Sequence, residues 1–364
     1  MRIRLEKRLT PSRFMLVATP VASVLLTMLL GAIIFELLGF DGLDAIYQTF
    51  ITPIVAPYKW VDVLTKAAPL IIIALGLSLG NQAKIWNIGA EGQYVIGALT
   101  GAGVAFALPD APAFIAIPVM IAAGILGGMA WAAVPALLKT RFHVSEVLST
   151  LMLVYVAMQV LNYLIGGPWK DPNGHNFPQT PPFTPAQTLP NVIPGTVVPP
   201  GFVVAIALTL IFWLLQARSV YGFSVRTVGA APSAARYGGF NASRTVWSTL
   251  MISGGMAGLA GILEAMSQLG QINLGFPSGY GFTAIIVSFL GRLHPIGVFL
   301  AGLILAVTYV GGQVAQTVVH VPEATAGIFQ ATMLFFILAS DILVRYRLRI
   351  VRDAPRAAGA GAPA

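Results

Sequence analysis

Long apolar runs alternate with short polar segments along most of the chain. An apolar run of about 20 residues has the length at which a helix crosses a bilayer. The pattern predicts ten membrane-spanning segments, at about residues 14–38, 61–80, 92–108, 114–138, 144–165, 202–216, 246–266, 282–293, 296–314 and 325–344. The segment 282–293 is short for a full crossing, which predicts a broken or re-entrant helix. We therefore predict an all-α integral membrane domain over residues 1–345.

The sidedness of the charges orients these segments. Of the 21 lysines and arginines, all but Lys59, Lys66 and Lys170 fall on the inner side when the N-terminus is placed in the cytoplasm. Cytoplasmic loops of membrane proteins are enriched in lysine and arginine, which supports this orientation. An even number of spans then places the C-terminus in the cytoplasm as well. Residues 346–364 end in Ala, Pro and Gly and are predicted to form a disordered cytoplasmic tail.

Two longer polar segments interrupt the apolar pattern. Residues 166–201 are dense in Pro, Gly and Asn and are predicted to form an external loop. Residues 217–245 are basic, rich in small side chains and predicted to lie on the cytoplasmic side. Within them, Pro232 can begin a short helix, and Gly238 with Gly239 can end it. Such a helix suits docking into a cleft of a partner protein, and a plain connecting loop is the alternative.

Composition narrows the function classes. The chain is 57% hydrophobic and only 9% charged, against about 25% charged residues in an average soluble protein. It has no cysteine, which excludes disulfides, thiol catalysis and cysteine-based metal sites, and its four histidines are scattered, so we expect no structural zinc site. We also expect no catalytic site and no cofactor. The net charge of +8 reflects the sidedness described above, so we expect no nucleic-acid binding. The phosphate-binding motif G-x-x-x-x-G-K-[ST] does not occur, so any ATP would have to be hydrolysed by another chain.

Two polar runs lie between apolar segments, at residues 79–93 and 269–282. Each follows a glycine-rich segment, and those two segments are predicted to cross the membrane in opposite directions. Interrupted segments at matching positions in two halves predict an inverted repeat, with broken helices in the core beside a transport pathway. The side chains predicted to line the pathway are Asn87, Glu91, Gln93, Glu264, Gln268 and Asn273. For the first three, the alternatives are a structural role between helices and an ordinary cytoplasmic loop with capping residues. For Glu264, the alternative is a position at the membrane interface.

A stripe of small residues, Gly254, Gly258 and Gly261, lies in one of the predicted spans. Stripes of this kind let the backbones of two helices approach closely in lipid. We therefore predict that this span packs tightly against neighbouring helices.

Several motifs together resemble a known family. They are NIGAEGQ at residues 87–93, SEVLSTLML at 145–153, RTVGAAPSAARYGG at 226–239, GYGF at 279–282 with 290–292, and the end of the domain at 328–341. Over residues 60–345 the chain resembles the permease subunits of ABC importers in the ribose/branched-chain amino acid permease superfamily. Within it, the chain looks like the nucleoside or simple-sugar branch that works with Bmp-like binding lipoproteins. The sequence departs from the pattern near Val154, where many relatives have Asn.

The resemblance implies partners and a function. We expect a bacterial inner-membrane permease that translocates nucleosides or related ribosides by alternating access, without an ATPase site of its own. Its expected partners are a cytoplasmic ABC ATPase, a second permease subunit in a heterodimer and an external substrate-binding lipoprotein. The residues expected to couple to the ATPase are Val228, Gly229, Pro232, Ala234, Ala235, Arg236, Tyr237 and Gly238.

Other functions remain open at this stage. The same machinery could carry a simple sugar or a riboflavin-like vitamin. An ion-coupled secondary transporter would need paired acids within the membrane, for which Glu91, Glu264 and Asp341 are the candidates. A membrane enzyme would need a nucleophile with an aligned base, and no such constellation is evident in the sequence.

Overall fold

The computed structural model describes residues 2–7, 13–175, 177–189, 198–322 and 324–351. Its helices are α1 (Arg13–Leu37), α2 (Gly42–Ile46), α3 (Thr52–Val55), α4 (Trp60–Gln82), α5 (Ala90–Ala107), α6 (Ala113–Phe142), α7 (Glu146–Gly166), α8 (Pro200–Arg218), α9 (Val220–Ala230), α10 (Pro232–Tyr237), α11 (Ala242–Glu264), α12 (Tyr280–Leu290), α13 (Pro295–Val318) and α14 (Ala324–Arg345). Single π-helical turns at Tyr47–Ile51 and Ala265–Leu269 and a 3-10 turn at Pro57–Lys59 complete the helical structure. The strands are β1 (Arg2–Lys7) and β2 (Tyr346–Val351).

Every predicted apolar segment forms a helix in the structure. In the described part of the chain, seven helices are long and apolar enough to cross a membrane, namely α1, α4, α6, α7, α8, α11 and α13. The apolar helices Tyr280–Leu290 and Gly327–Ser340 are shorter. The chain is therefore a helical, multi-pass membrane protein.

Helices α4, α5 and α11 form the centre of the bundle. In the apolar window of α4, 89% of the residues are buried, and the corresponding figure for α11 is 78%. Helix α11 packs against α4, α5 and α6, and α4 also packs against α8, α12 and α13. Helices α1, α6 and α8 each bury only 28% of the residues in their apolar windows, so they expose more of their surface than α4 and α11 do.

The predicted glycine stripe lies at the closest helix contacts. A Cβ atom on Gly258 would lie 2.2 Å from the backbone oxygen of Gly124 in α6. A Cβ on Gly254 would lie 2.5 Å from the oxygen of Gly128. Both distances are far below van der Waals contact, so only glycine permits this packing of α11 on α6. The prediction of a close helix–helix contact is confirmed.

Helices α5 and α12 both begin in the interior of the bundle. The Nδ2 of Asn87, just before α5, donates a hydrogen bond of 2.9 Å to Ser253 Oγ in α11. At 1.5 Å per residue, Ser253 lies roughly 16 Å along α11 from Ala242, about half of a 30 Å hydrocarbon core. Helix α12 contacts α5 at the same depth through Glu91. Its 11 residues span roughly 16 Å, so α12 is the short helix that the sequence predicted.

These two half-helices occupy equivalent positions. In one case a long helix, α4, is followed by residues 83–89, which lead to the start of α5 at mid-membrane depth. In the other, α11 and its π-helical turn are followed by residues 270–279, which lead to the start of α12. This arrangement has the form expected of the inverted repeat, which remains a prediction.

The segment 217–245 contains more helix than the sequence predicted. The predicted short helix is present as α10, which ends at Tyr237 and is followed by Gly238 and then by Gly239 at φ 82°. The preceding residues, predicted only as a polar loop, form the amphipathic helix α9, which buries Gly222 and Val225 against the bundle. The sequence pattern that could have predicted α9 is the helical spacing of its buried residues, Gly222, Val225, Val228 and Gly229, within the basic segment.

The prediction of a disordered tail over 346–364 is wrong for its first part. Residues 346–351 form β2, which pairs antiparallel with β1, with Arg2 opposite Val351 and Lys7 opposite Tyr346. Each segment contains four residues that alternate basic and apolar side chains, RIRL in β1 and RLRI in β2, which is a strand pattern. Residues 352–364 lie outside the described part of the chain. The pairing places β1 and β2, and with them the start of α1 and the end of α14, at the same end of the bundle.

The described residues of the 166–201 segment fold over the ends of α5 and α11. The backbone N–H of Thr180 donates to Ile272 O at 2.9 Å, and that of Phe183 donates to Gly270 O at 2.7 Å. The side chain of Gln187 donates to Ala105 O at 2.8 Å. This segment is therefore a packed cover over one end of the bundle, and residues 176 and 190–197 lie outside the described part.

Candidate functional site

Glu91 holds the beginning of α12. Its Oε1 accepts a hydrogen bond from Gly279 N at 2.9 Å, and its Oε2 accepts one from Gly281 N at 2.6 Å. A helix N-terminus has backbone N–H groups without helical partners and carries a partial positive charge, so a carboxylate is well matched to it. Glu91 is 1% exposed. A Cβ on Gly281 would lie 2.2 Å from Glu91 N, so the glycine permits this close approach.

Asn87 and Gln93 bind each other beside Glu91. Asn87 Nδ2 donates to Gln93 Oε1 at 2.7 Å, and Gln93 Nε2 donates back to Asn87 Oδ1 at 3.2 Å. Asn87 also donates to Ser253 Oγ, as described above. Both amides are buried. We call Asn87, Glu91, Gln93 and Ser253 the mid-membrane cluster; its members make their hydrogen bonds within the chain.

Glu264 lies in a different place, where α11 becomes π-helical. Its Oε1 is 3.9 Å from Lys66 Nζ of α4, and the Lys66 ammonium lies 5.4 Å from the centre of the Tyr280 ring. A cavity of about 10 Å³, lined partly by Thr65 and Ser267, adjoins this pair. That space holds about one water molecule. The sequence analysis did not predict this ion pair under either alternative for Glu264. It could have been predicted from Lys66, because a lysine inside a predicted span requires a partner.

The remaining predicted pathway residues lie near the covering segment. Asn273 forms an isolated β-bridge with Gln179. The side chain of Gln268 lies outside the described part of the structure. The other five predicted residues lie in three places: three in the mid-membrane cluster, Glu264 beside Lys66, and Asn273 in contact with the segment that covers the bundle.

Aromatic rings fill the space between the mid-membrane cluster and the covered end of the bundle. Tyr94 stacks on Phe276 with ring centres 4.9 Å apart and meets Tyr280 edge-on at 5.9 Å. Tyr280 also contacts Tyr309 at 5.7 Å. Tyr94 and Tyr280 are each 1% exposed or less. These rings close the interior of the chain at this level, and the assignment of the pathway residues remains a prediction.

Helix α7 exposes a row of polar and amphipathic side chains that the sequence analysis missed. Tyr155 is 64% exposed and Tyr163 is 71% exposed, and Gln159 and Asn162 are also exposed. Spacings of three, four and eight residues put these side chains on one helical face. We call these four residues the α7 polar face. The available signal was this helical spacing of amides and tyrosines within an apolar span.

The exposed face of α8 is different. It consists of apolar side chains, including Ile206, Leu210, Ile211 and Leu214. An amide in hydrocarbon without hydrogen-bond partners is costly, and polar residues in membrane helices accordingly face other protein or water-filled space. The α8 face is therefore suited to lipid, whereas the α7 polar face is suited to another protein chain or to water.

The short helix α10 projects from the bundle. Tyr237 is 96% exposed, and Pro232, Ala234, Arg236 and Gly238 are exposed as well. We call these five residues the α10 surface. The other residues expected to contact an ATPase, Val228, Gly229 and Ala235, are buried within this chain. A Cβ on Gly229 would lie 2.0 Å from Gln82 O, so this residue fixes α9 against the end of α4.

The fold and these surfaces are those of a helical, multi-pass membrane protein. The family model described as branched-chain amino acid transport system / permease component matches residues 60–338. The chain therefore belongs to this permease family, as the sequence motifs predicted. Such a chain is a permease subunit and not itself an enzyme.

Relatives with assigned transport roles are similar over most of their length. The glucose ABC transporter permease protein TsgB13 of Haloferax volcanii is 34% identical, covering 96% of this chain and 94% of that protein. The guanosine ABC transporter permease protein NupP of Bacillus subtilis is 28% identical, covering 90% and 94%. A second guanosine permease of that organism, NupQ, is 29% identical, covering 66% of this chain and 77% of NupQ. No solved structure matches.

Proposed function

We propose that this chain is a membrane-spanning permease subunit of an ATP-driven importer, located in a bacterial inner membrane. It translocates nucleosides or related ribosides into the cell by alternating access. The observation that carries the proposal is the α7 polar face, because its exposed amides and tyrosines need a partner that lipid does not provide.

The α7 polar face contacts a second permease subunit and lines the pathway between the two. Two different guanosine permeases of one organism, NupP and NupQ, are both similar to this chain, which supports a heterodimer. The mid-membrane cluster then has a supporting role. Its carboxylate and amides hold the starts of α5 and α12 together behind the pathway, and substrate passes along the outer surface of α7.

The chemistry of the α7 polar face suits a ring-bearing, polyhydroxylated substrate. Tyr155 and Tyr163 offer ring faces for stacking, and Gln159 and Asn162 offer donors and acceptors for hydroxyl groups or base edges. Nucleosides have both features, and two relatives carry guanosine in their names. A simple sugar is the second candidate, favoured by the 34% identity to a glucose permease.

The remaining partners bind at the two ends of the bundle. A cytoplasmic ABC ATPase contacts the α10 surface, and an external binding lipoprotein delivers substrate at the end covered by the 166–201 segment. The pairing of β1 with β2 supports an even number of crossings, because it puts both chain ends on one side. Ten spans with both ends in the cytoplasm agree with that pairing.

Uptake by the complete system tests the substrate and the energy source. Cells that lack their own nucleoside uptake would express this permease with its ATPase, second permease and binding protein. We expect guanosine uptake that excess glucose or riboflavin does not reduce and that stops when ATP is depleted. Glucose uptake without guanosine uptake would assign the sugar instead. Uptake that survives ATP depletion and collapses with an uncoupler would overturn the ATP-driven mechanism.

The α10 surface has its own test. Tyr237→Ala removes the most exposed side chain of this surface, so we expect loss of ATPase binding and of uptake with a normal amount of permease in the membrane. Tyr58→Ala is the matched control, because Tyr58 is 72% exposed on the 3-10 turn at the predicted external side. Equal ATPase recovery with wild type and Tyr237→Ala would place the ATPase contact elsewhere.

A further inference from the structure

Helix α9 links the short helix α10 to the centre of the bundle. It packs against α4, α8 and α11. A Cβ on Gly229 would lie 2.0 Å from Gln82 O, at the end of α4. The Arg226 guanidinium donates a hydrogen bond to Gln216 O of α8. Only Ala231 separates α9 from α10, so a displacement of α10 acts directly on these contacts.

The side chain of Gln82, the last residue of α4, joins two further parts of the chain. Its Nε2 donates to Gln216 Oε1 in α8 at 2.9 Å and to Leu293 O, in the turn after α12, at 2.7 Å. A backbone carbonyl only accepts hydrogen bonds, so the amide nitrogen of Gln82 is the atom that faces Leu293. Gln216 is 5% exposed, and loss of a partner within such a buried pair destabilises the contact. Helices α4 and α8 and the α12–α13 turn therefore meet at Gln82, where α9 also packs.

Helix α12 is bound at both of its ends by residues of α4 and α5. Glu91 accepts two backbone N–H groups at its start. Gln82 donates to Leu293 O, three residues past its end. A displacement of Gln82 therefore reaches the turn after α12 and, through the end of α4, the segment 83–89 that leads to α5.

We propose that Gln82 is the positioning residue through which movement of α9 and α10 reaches the half-helices α5 and α12. The inference rests on the proposed function, because it takes α10 as the ATPase contact. Energetic coupling between distant sites is carried by packed contacts and hydrogen bonds that join rigid elements. Gln82 is such a contact, since its backbone oxygen touches α9 while its side chain holds α8 and the α12–α13 turn.

The ratio of import to ATP hydrolysis in the complete transporter tests this role. The permease, its ATPase, the second permease and the binding protein would be reconstituted in vesicles with the substrate that the uptake experiment assigns, guanosine or glucose. Gln82→Met keeps the length of the side chain and removes both of its hydrogen bonds. We expect normal copurification of the ATPase and about tenfold less import per ATP hydrolysed, within the usual range of coupling between two sites.

A matched variant separates coupling from stability. Thr140→Val removes a hydrogen bond of 3.0 Å that Trp247 Nε1 of α11 donates to α6, and this bond joins neither α4 nor α8. Both variants should lower Tm, but only Gln82→Met should lower import per ATP. An equal ratio in wild type, Thr140→Val and Gln82→Met would overturn the inference alone. Wild-type import without ATP hydrolysis would overturn the proposed function and the inference with it.

A second glutamine variant tests whether the two amides act as one contact. Gln216→Met removes the amide pair from the α8 side, so it should also lower import per ATP. The double variant of Gln82→Met and Gln216→Met should couple no worse than Gln82→Met, because residues that share one contact are not additive. Two losses that multiply in the double variant would show independent effects and contradict a single link at Gln82.

Discussion

The mid-membrane cluster and the α7 polar face both put amides among membrane-spanning helices, but they differ in where the partners lie. Asn87 and Gln93 are buried and bind each other and Ser253. Gln159 and Asn162 are exposed on an otherwise apolar helix surface. The first arrangement is complete within one chain and holds two half-helices in place. The second is incomplete within one chain and needs a neighbour or water.

This difference separates stability from transport. Changes in the mid-membrane cluster should weaken the fold because they remove contacts between helices of the same chain. Changes on the α7 polar face should leave the fold intact and alter what happens between chains. The α8 face provides the reference for a helix surface that contacts only lipid.

We expect the largest effect, a loss of permease from the membrane, when an arginine is introduced on the exposed face of α8. Leu210→Arg places a charge at the middle of a lipid-facing helix, which costs roughly 2.5–3.5 kcal/mol on insertion scales. We expect a marked loss of permease from the membrane fraction, measured by quantitative immunoblotting. Gln159→Arg replaces a side chain that is already polar and faces a partner or water, so its membrane level should stay near wild type while uptake is lost. Equal losses of membrane level would remove the distinction between the two faces.

A smaller loss of stability is expected in the mid-membrane cluster. Glu91→Gln removes the charge that accepts two backbone N–H groups at the start of α12, so we expect about 1.5–3 kcal/mol less stability. Thermal unfolding of the purified transporter would show this as a lower Tm. Asp62→Asn is the control, because Asp62 forms an exposed ion pair with Lys59 and such pairs contribute less than about 1 kcal/mol. A wild-type Tm with impaired uptake would instead assign Glu91 to the pathway.

Substitutions on the α7 polar face should lower uptake without lowering stability. Asn162→Leu and Gln159→Leu each remove one polar contact to substrate or to the second permease, so we expect about tenfold lower uptake, equivalent to about 1.4 kcal/mol. Tm and membrane level should be unchanged. Trp213→Leu on the exposed face of α8 serves as the control and should change uptake less than twofold, since an apolar residue still faces lipid. Normal uptake by both α7 variants would show that this face is not used in transport.

We expect the smallest effect on Tm when a buried hydroxyl that hydrogen-bonds only within its own helix is removed. Thr27 Oγ1 in α1 donates to Ser23 O, one turn earlier, at 2.8 Å. Thr27→Val should change Tm little, because polar contacts within membrane proteins average only about 0.6 kcal/mol and this one joins no second helix. A loss as large as that of Glu91→Gln would mean that burial of any polar group, and not contact between helices, determines stability.

Much of this architecture is readable from the sequence. The apolar segments, the short helix at 282–293, α10 with its terminal glycines, and the tight packing at Gly254 and Gly258 all follow from local pattern. These features depend on local composition and on glycine at single positions where the backbone requires it, and both can be read from the sequence.

The burial of polar residues is not readable in the same way. A membrane helix can be apolar on every face, so periodicity does not show which side is buried, and the polar residues of α4 to α5 resembled pathway residues as much as structural ones. The depth of Asn87 depends on its contact with α11, more than 160 residues away in sequence. The pairing of β1 with β2 and the Lys66–Glu264 pair likewise join distant segments.

Cysteine accessibility tests the central claim most directly. The chain has no cysteine, so Gln159→Cys, Leu210→Cys and Asn87→Cys each introduce one unique thiol. The assembled transporter in vesicles would be treated with a membrane-impermeant maleimide and with a short thiol cross-linker. We predict that Gln159→Cys reacts with the maleimide or cross-links to the second permease, while Leu210→Cys and Asn87→Cys do neither. Labelling of Asn87→Cys together with an unreactive Gln159→Cys would place the pathway inside the bundle and contradict this account.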